Sequence, residues 1–181
     1  MKRLLVCTGL LIAATAVFAQ QKAPPASPSA TESATIAGKA ITITYNSPGV
    51  KGREGHIFSK DGRISKDPHY PVWRAGANAA TKLHTDADLE IGDLAVPKGD
   101  YTLFVDISDP DNWVLIVNKQ TGQWGLAYDS TQNLGKTKFP TSATPALVEN
   151  LKYTITDLGG NNGTLTLAWE DKSATVGIKV H

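Results

Sequence analysis

Cysteine is almost missing from this 181-residue chain: Cys7 is the only one. It lies in an N-terminal segment built like a secretory signal, with a basic start at Lys2 and Arg3, an apolar run from Leu4 to Phe18, and the small-x-small pattern Val17-Phe18-Ala19. Cleavage after Ala19 leaves a mature chain from Gln20 without a thiol, which excludes disulfide staples and cysteine nucleophiles. Cys7 lies near the start of this run, with most of the apolar core after it, and is too early to carry a lipid. The apolar run is shorter than the roughly 20 residues that cross a bilayer, and no later segment is long enough, so no membrane span is expected after cleavage. Location is read as periplasmic or secreted.

Charge of one sign is also lacking. The 18 basic residues lose Lys2 and Arg3 with the signal, leaving 16 against 17 acidic residues, or minus one with neutral histidine. No basic stripe is visible. Nucleic acid is thereby disfavoured as a partner, because phosphate binding needs clustered Lys and Arg, and so is adhesion to anionic lipid. Glycine-rich phosphate motifs and a Gly-x-Ser-x-Gly elbow are absent too, and Ser130 in Tyr128-Asp129-Ser130-Thr131 has no such setting.

Helical periodicity is scarce, and what is present is alternation. Gln20 to Thr35 is an Ala, Pro, Ser, Thr and Gln tract with little to bury, expected to be a disordered leader. Residues 36–181 then form one domain of about 145 residues, a usual size for a single core. Ile41, Ile43 and Tyr45 alternate with threonines, as do Tyr101, Leu103, Val105 and Ile107 with polar residues, Leu165, Leu167 and Trp169, and Val176, Ile178 and Val180. Trp113 to Val117 is apolar throughout and reads as a strand covered on both faces. Trp124, Leu126 and Tyr128 read as a further strand face. Turns are expected at Gly92-Asp93, Lys98-Gly99, Asp109-Pro110-Asp111-Asn112 and Gly159 to Gly163. The fold class is all-β, an antiparallel β-sandwich or flattened barrel of about 8–10 short strands. Thr144 to Lys152 allows at most a turn or two of helix.

The segment Pro71-Val72-Trp73-Arg74-Ala75-Gly76-Ala77-Asn78-Ala79-Ala80-Thr81 joins a Trp, an Arg and an Asn through small residues that let backbones approach. Together with Tyr45-Asn46-Ser47-Pro48, Val50-Lys51-Gly52-Arg53, Val96 to Phe104 and Asn118 to Gly125, it resembles a bacterial family known as domain of unknown function 2911, over about Ile41 to Val180. The resemblance implies an exported protein of unassigned activity. Many members carry a Glu directly after Gly-Ala-Asn, where this chain has Ala79, which puts a carboxylate-dependent mechanism at that place in doubt.

Trp73, Arg74, Asn78 and Trp124 are the candidate ligand-binding residues. Arg74 offers a planar fork of donors suited to a carboxylate or sulfate, and Asn78 both donates and accepts. Internal pairing of Arg74 with an acid and a loop-capping role for Asn78 account for the same residues. Trp113 and Trp169 are in phase with Leu and Val and belong in the core, whereas Trp73 and Trp124 are the better surface candidates for a sugar ring or a cation. His56, His69, His84 and His181 are widely spaced and match no short ligand motif, so no metal or other cofactor is expected. Asp106, Asp109, Asp111 and Asn112 crowd oxygens as calcium prefers, without the EF-hand spacing, and a polar hairpin tip explains them equally.

The reading is an exported, non-catalytic binding module for a small polar or glycan-like ligand or an envelope partner. One alternative is a metal-dependent or other hydrolase using His69 or His84 with Asp129 or Asp86. Another is a purely structural envelope component.

Overall fold

A computed structural model describes residues 26–181. The expected signal peptide and the first part of the leader lie outside these residues. The chain forms ten strands: β1 (Ser29–Ile36), β2 (Lys39–Asn46), β3 (Val72–Trp73), β4 (Thr81–Thr85), β5 (Leu89–Ile91), β6 (Leu94–Val96), β7 (Gly99–Asp106), β8 (Asn112–Asn118), β9 (Asn133–Gly159) and β10 (Asn162–Val180). All pairings are antiparallel, along the path β1-β2-β4-β7-β8-β9-β10-β5-β6, with β3 added to β7. The only helical pieces among the described residues are 3₁₀ turns at Ile64–Lys66 and Ser130–Gln132. The all-β sandwich or flattened barrel expected from alternation is the observed architecture. No helix among the described residues is long and apolar enough to cross a membrane.

The 27-residue strand β9 joins the two layers. Its first part pairs with β8 from Asn133 to Pro140, and its later part pairs with β10 from Thr141 to Gly159. Side chains pointing inward from both layers meet in one core, with Ile41, Ile43, Leu83, Leu103 and Leu115 on one side and Leu151, Tyr153, Leu165, Leu167 and Ile178 on the other. Burying one such side chain stabilises the fold by roughly 1.5–3 kcal/mol, which explains how a domain without staples holds together. The sheet does not close. Instead, the Glu32 carboxylate of edge strand β1 accepts the Ile155 N–H at 3.0 Å, so a side chain substitutes for a ladder bond across the opening.

Three turns have the chemistry their sequences require. Ala37 and Gly38, both at positive φ, make the two-residue β1–β2 turn, and Gly92 at φ 62° opens the β5–β6 turn. A side chain at Gly92 would also strike the Thr137 hydroxyl. Gly159 and Gly160 turn β9 into β10.

Three sequence expectations are corrected. The leader does not extend to Thr35, because Ser29–Ile36 is strand β1, paired residue for residue with β2. Its inward positions are Ala30, Glu32, Ala34 and Ile36, so the alternation exists but small side chains hide it from hydropathy. Thr144 to Lys152 contains no helical turn and lies within β9. Pro145 falls between the pairs Ala143 with Lys172 and Val148 with Glu170, in an irregular stretch where no ladder bond is lost. Trp124 to Tyr128 is not a strand: Trp124 makes one isolated bridge to Ala79, and the chain then turns with the Ala127 N–H bonded to the Trp124 carbonyl at 2.8 Å.

Between β2 and β3, residues 47–71 form a long segment without strand pairing beyond the bridge of Gly49 to Asn150. It is nonetheless anchored. Val50, Ile57 and Ile64 are buried in the common core. Phe58 inserts among Trp113, Trp73 and Trp169, with ring centroids 5.1, 5.9 and 5.9 Å away. Loops of this length in compact domains commonly carry function.

Candidate functional site

The Trp73 to Thr81 block starts as a strand end and becomes a tight turn. In β3 alternate side chains face opposite ways, which sends Trp73 inward, where it is only 2% exposed. Its ring stacks on Trp169 with centroids 5.8 Å apart and planes 19° from parallel. The surface placement expected for Trp73 is therefore corrected: the polar Arg74 beside it follows the strand end and is itself mostly buried, so its presence does not mark the Trp as exposed. Trp113 and Trp169 are buried as expected, and Trp124 is 56% exposed.

After Trp73 the chain reverses through Ala75 at φ 49° and Asn78 at φ 58°. The Thr81 hydroxyl lies 3.2 Å from the Arg74 carbonyl and 3.1 Å from that of Ala75. The Tyr153 hydroxyl also donates to the Ala75 carbonyl, at 2.9 Å, and burial pushes the Tyr153 pKa up. Small residues are needed here for contact. A Cβ on Gly76 would sit 2.9 Å from the Thr81 hydroxyl, and one on Gly125 would sit 2.5 Å from Arg74 Cδ and 2.8 Å from the Asn78 carbonyl. Gly125 N–H in fact donates to that carbonyl at 2.9 Å, and Ala80 N–H to Gln123 at 3.2 Å. The block is thus clamped to the segment carrying Trp124.

Arg74 finds its partner in the long loop. Its Nη2 donates to both carboxylate oxygens of Asp67 at 3.0 Å, and the two side chains are only 10% and 9% exposed. The internal ion pair is one of the two roles anticipated for Arg74. Asn78 Nδ2 approaches the Ser27 carbonyl at 3.5 Å.

These residues border one cavity of about 530 Å³. Trp73, Arg74, Asn78 and Trp124, separated by up to 51 positions in sequence, all line it. The long loop supplies the facing wall, with Lys51, Arg53, Arg63, Ile64 and Asp67. Trp169 and Leu126 add apolar surface, and Ala26 and Ser27 border the cavity from the tract expected to be a leader. Sequence reasoning missed the loop wall and this N-terminal edge. Lys51 and Arg53 stood within the family landmark Val50 to Arg53, but no periodicity places a loop.

The cavity is electrically unbalanced. Lys51, Arg53, Arg63 and Arg74 face a single lining carboxylate, Asp67, which Arg74 already occupies. Arg53 is held by Nε to the Val50 carbonyl at 2.8 Å and by Nη2 to the Gly49 carbonyl at 2.7 Å. Lys51 Nζ donates to the Ala26 carbonyl at 2.9 Å. Trp169 Nε1 is a buried donor with no hydrogen-bond partner among the described residues. Behind it, Glu170 interrupts β10 at φ 56° and its buried carboxylate accepts the Gly55 N–H, anchoring the loop; desolvation raises its pKa.

The remaining sequence candidates lie elsewhere. His84 is flanked by Asp100 at Nδ1, 3.0 Å, and Asp86 at Nε2, 3.1 Å, on the exposed face of β4, and these carboxylates, Asp100 foremost, raise its pKa. They lie on opposite ring nitrogens and do not converge on one point. His69 Nε2 meets the Leu126 carbonyl at 3.0 Å and its ring packs edgewise on Tyr128, so it pins a turn. Asp129 caps the second 3₁₀ turn, accepting from Thr131 N–H at 2.9 Å. His181 sits 3.6 Å from Glu90 at the chain end. Asp109 accepts the N–H groups of Asp111 and Asn112, and Asp106 that of Ser108, the work of a hairpin tip. Among the described residues no group of three or more His, Cys, Asp or Glu side chains is placed to hold a metal ion.

No curated protein and no solved structure shows a significant match to the chain. A family model, that of the protein of unknown function DUF2911, matches residues 27–178. This match begins just before β1 and runs almost to the end of β10, so it takes in the whole sandwich together with the long loop and the cavity, and the chain belongs to the DUF2911 family.

Proposed function

We propose that this protein is an exported, non-catalytic binding module that holds a small polar or glycan-like ligand in the cavity between the long loop and the sandwich. The observation that carries this reading is convergence: four residues singled out for their chemistry, Trp73, Arg74, Asn78 and Trp124, border one concave space of about 530 Å³. That volume falls within the roughly 300–1,000 Å³ usual for small-molecule sites. The cavity joins flat aromatic walls to a few directed polar groups, the composition such sites use to fix orientation. Lys2, Arg3 and the apolar run to Phe18 support export.

Trp124 gives the sharpest test, since it is exposed and contributes little to the core. A thermal-shift screen against pooled neutral sugars, acidic sugars and organic acids should find a stabilising compound. Trp124→Ala should then leave unfolding stability within about 0.5 kcal/mol of the parent and weaken that compound's binding roughly tenfold. A screen without hits, or a hit whose affinity ignores the substitution, would count against the reading.

A further inference from the structure

We propose that the ligand of this cavity is a small anion of sugar size, carrying a carboxylate or a phosphate, with its oxyanion held by Arg63, Arg53 and Lys51 and its ring against Trp124. The proposal deepens the binding reading above and rests on it.

Charge balance is the first support. Four cationic side chains line the cavity against one carboxylate, in a chain whose formal net charge is only +1. Asp67 neutralises Arg74, which leaves three cations without a lining counter-charge. Glu149, beside Lys51, gives its Oε1 to the backbone N–H of that residue at 3.0 Å rather than to the ammonium. Like charges gathered around one space repel, and an anion entering it relieves that repulsion as it binds.

Donor geometry is the second. Arg53 commits Nε and one Nη2 proton to backbone carbonyls, which fixes the guanidinium plane and leaves its other N–H donors available. Such a preoriented fork suits the paired oxygens of a carboxylate or phosphate. Arg63, exposed at the start of the first 3₁₀ turn, makes no side-chain hydrogen bond or ion pair among the described residues. Trp169 is nearly fully buried, lines the same cavity, and has its indole N–H unpartnered. An indole nitrogen only donates, so what it lacks is an acceptor. Buried donors in native proteins are nearly always paired, and a ligand oxygen would supply the missing acceptor. All these groups ask for an acceptor, and none of them would prefer a cationic guest.

Isothermal titration of the full exported chain with glucuronate, glucose 6-phosphate and neutral glucose tests this. One or both acids should bind, at least roughly tenfold tighter than glucose, and binding should weaken as sodium chloride rises. Arg63→Gln removes a side chain with no internal partner, so the variant should fold normally and lose roughly tenfold in affinity for the acids. Acid binding with that dependence supports the proposal, and the tighter acid identifies the oxyanion. Glucose binding as tightly as the acids, or acid binding unchanged in Arg63→Gln, overturns the anionic assignment while leaving the binding reading in place. Failure of all three probes also overturns it, and the broader screen then decides the binding reading separately.

Discussion

Replacing Asp67 with alanine should lower the unfolding free energy by about 3 kcal/mol, because it strands the Arg74 guanidinium in a site where the side chain is only 10% exposed. The carboxylate accepts from Arg74 at 3.0 Å through both oxygens, and no other acid lines the cavity to replace it. Asp67 also sits beside the 3₁₀ turn at Ile64–Lys66, its N–H bonded to the Ile64 carbonyl at 2.9 Å, so the ion pair ties the long loop to the end of β3. Urea denaturation of the single variant and of Asp67→Ala/Arg74→Ala separates the contributions. The double variant should recover part of the loss, since no uncompensated buried charge remains. A single-variant effect below about 1 kcal/mol would mean that water screens the pair as it does on an open surface.

Trp73→Ala should cost still more, about 3–5 kcal/mol, by opening a void at the centre of the aromatic cluster. Trp73 is stacked on Trp169, meets Trp113 edgewise at 6.3 Å, and receives Phe58 from the loop. Three large rings would lose a common neighbour. Because Phe58 is the loop's aromatic attachment to this cluster, the variant should also expose residues 47–71 to proteolysis before the sandwich itself unfolds. Limited proteolysis with mass mapping reads this directly. Cuts confined to other turns would show that the loop is held without the Trp73 cluster.

The two substitutions act on the parts of the molecule where sequence reading was uneven. Where a strand has one wet face, as at Ile41, Ile43 and Tyr45 or Tyr101, Leu103 and Val105, apolar alternation survives in the sequence and the strands are read directly. β1 escaped because Ala30 and Ala34 face inward without contrasting in hydropathy with Ser and Thr. The long loop escaped for another reason: Val50, Ile57, Phe58 and Ile64 enter the core at irregular spacing, dictated by tertiary contacts rather than by a backbone period. Much of the cavity wall comes from this loop, so the site was legible only from the side of Trp73 to Asn78 and Trp124. Arg74 was legible as a residue needing a partner, but not the partner itself, since Asp67 stands seven positions away with no helix to bring it round. The family match encloses both walls without assigning either a role.

If the cavity receives a ligand, the indole N–H signals of the four tryptophans report on it one by one. In a nitrogen-edited NMR titration with any compound found by the screen, the signals of Trp73, Trp124 and Trp169 should shift along a saturable curve. Trp113, the tryptophan outside the cavity lining, should move least. Shifts at all four that rise in proportion to concentration without saturating, or no shift at Trp124 and Trp169, would contradict a binding site at this place.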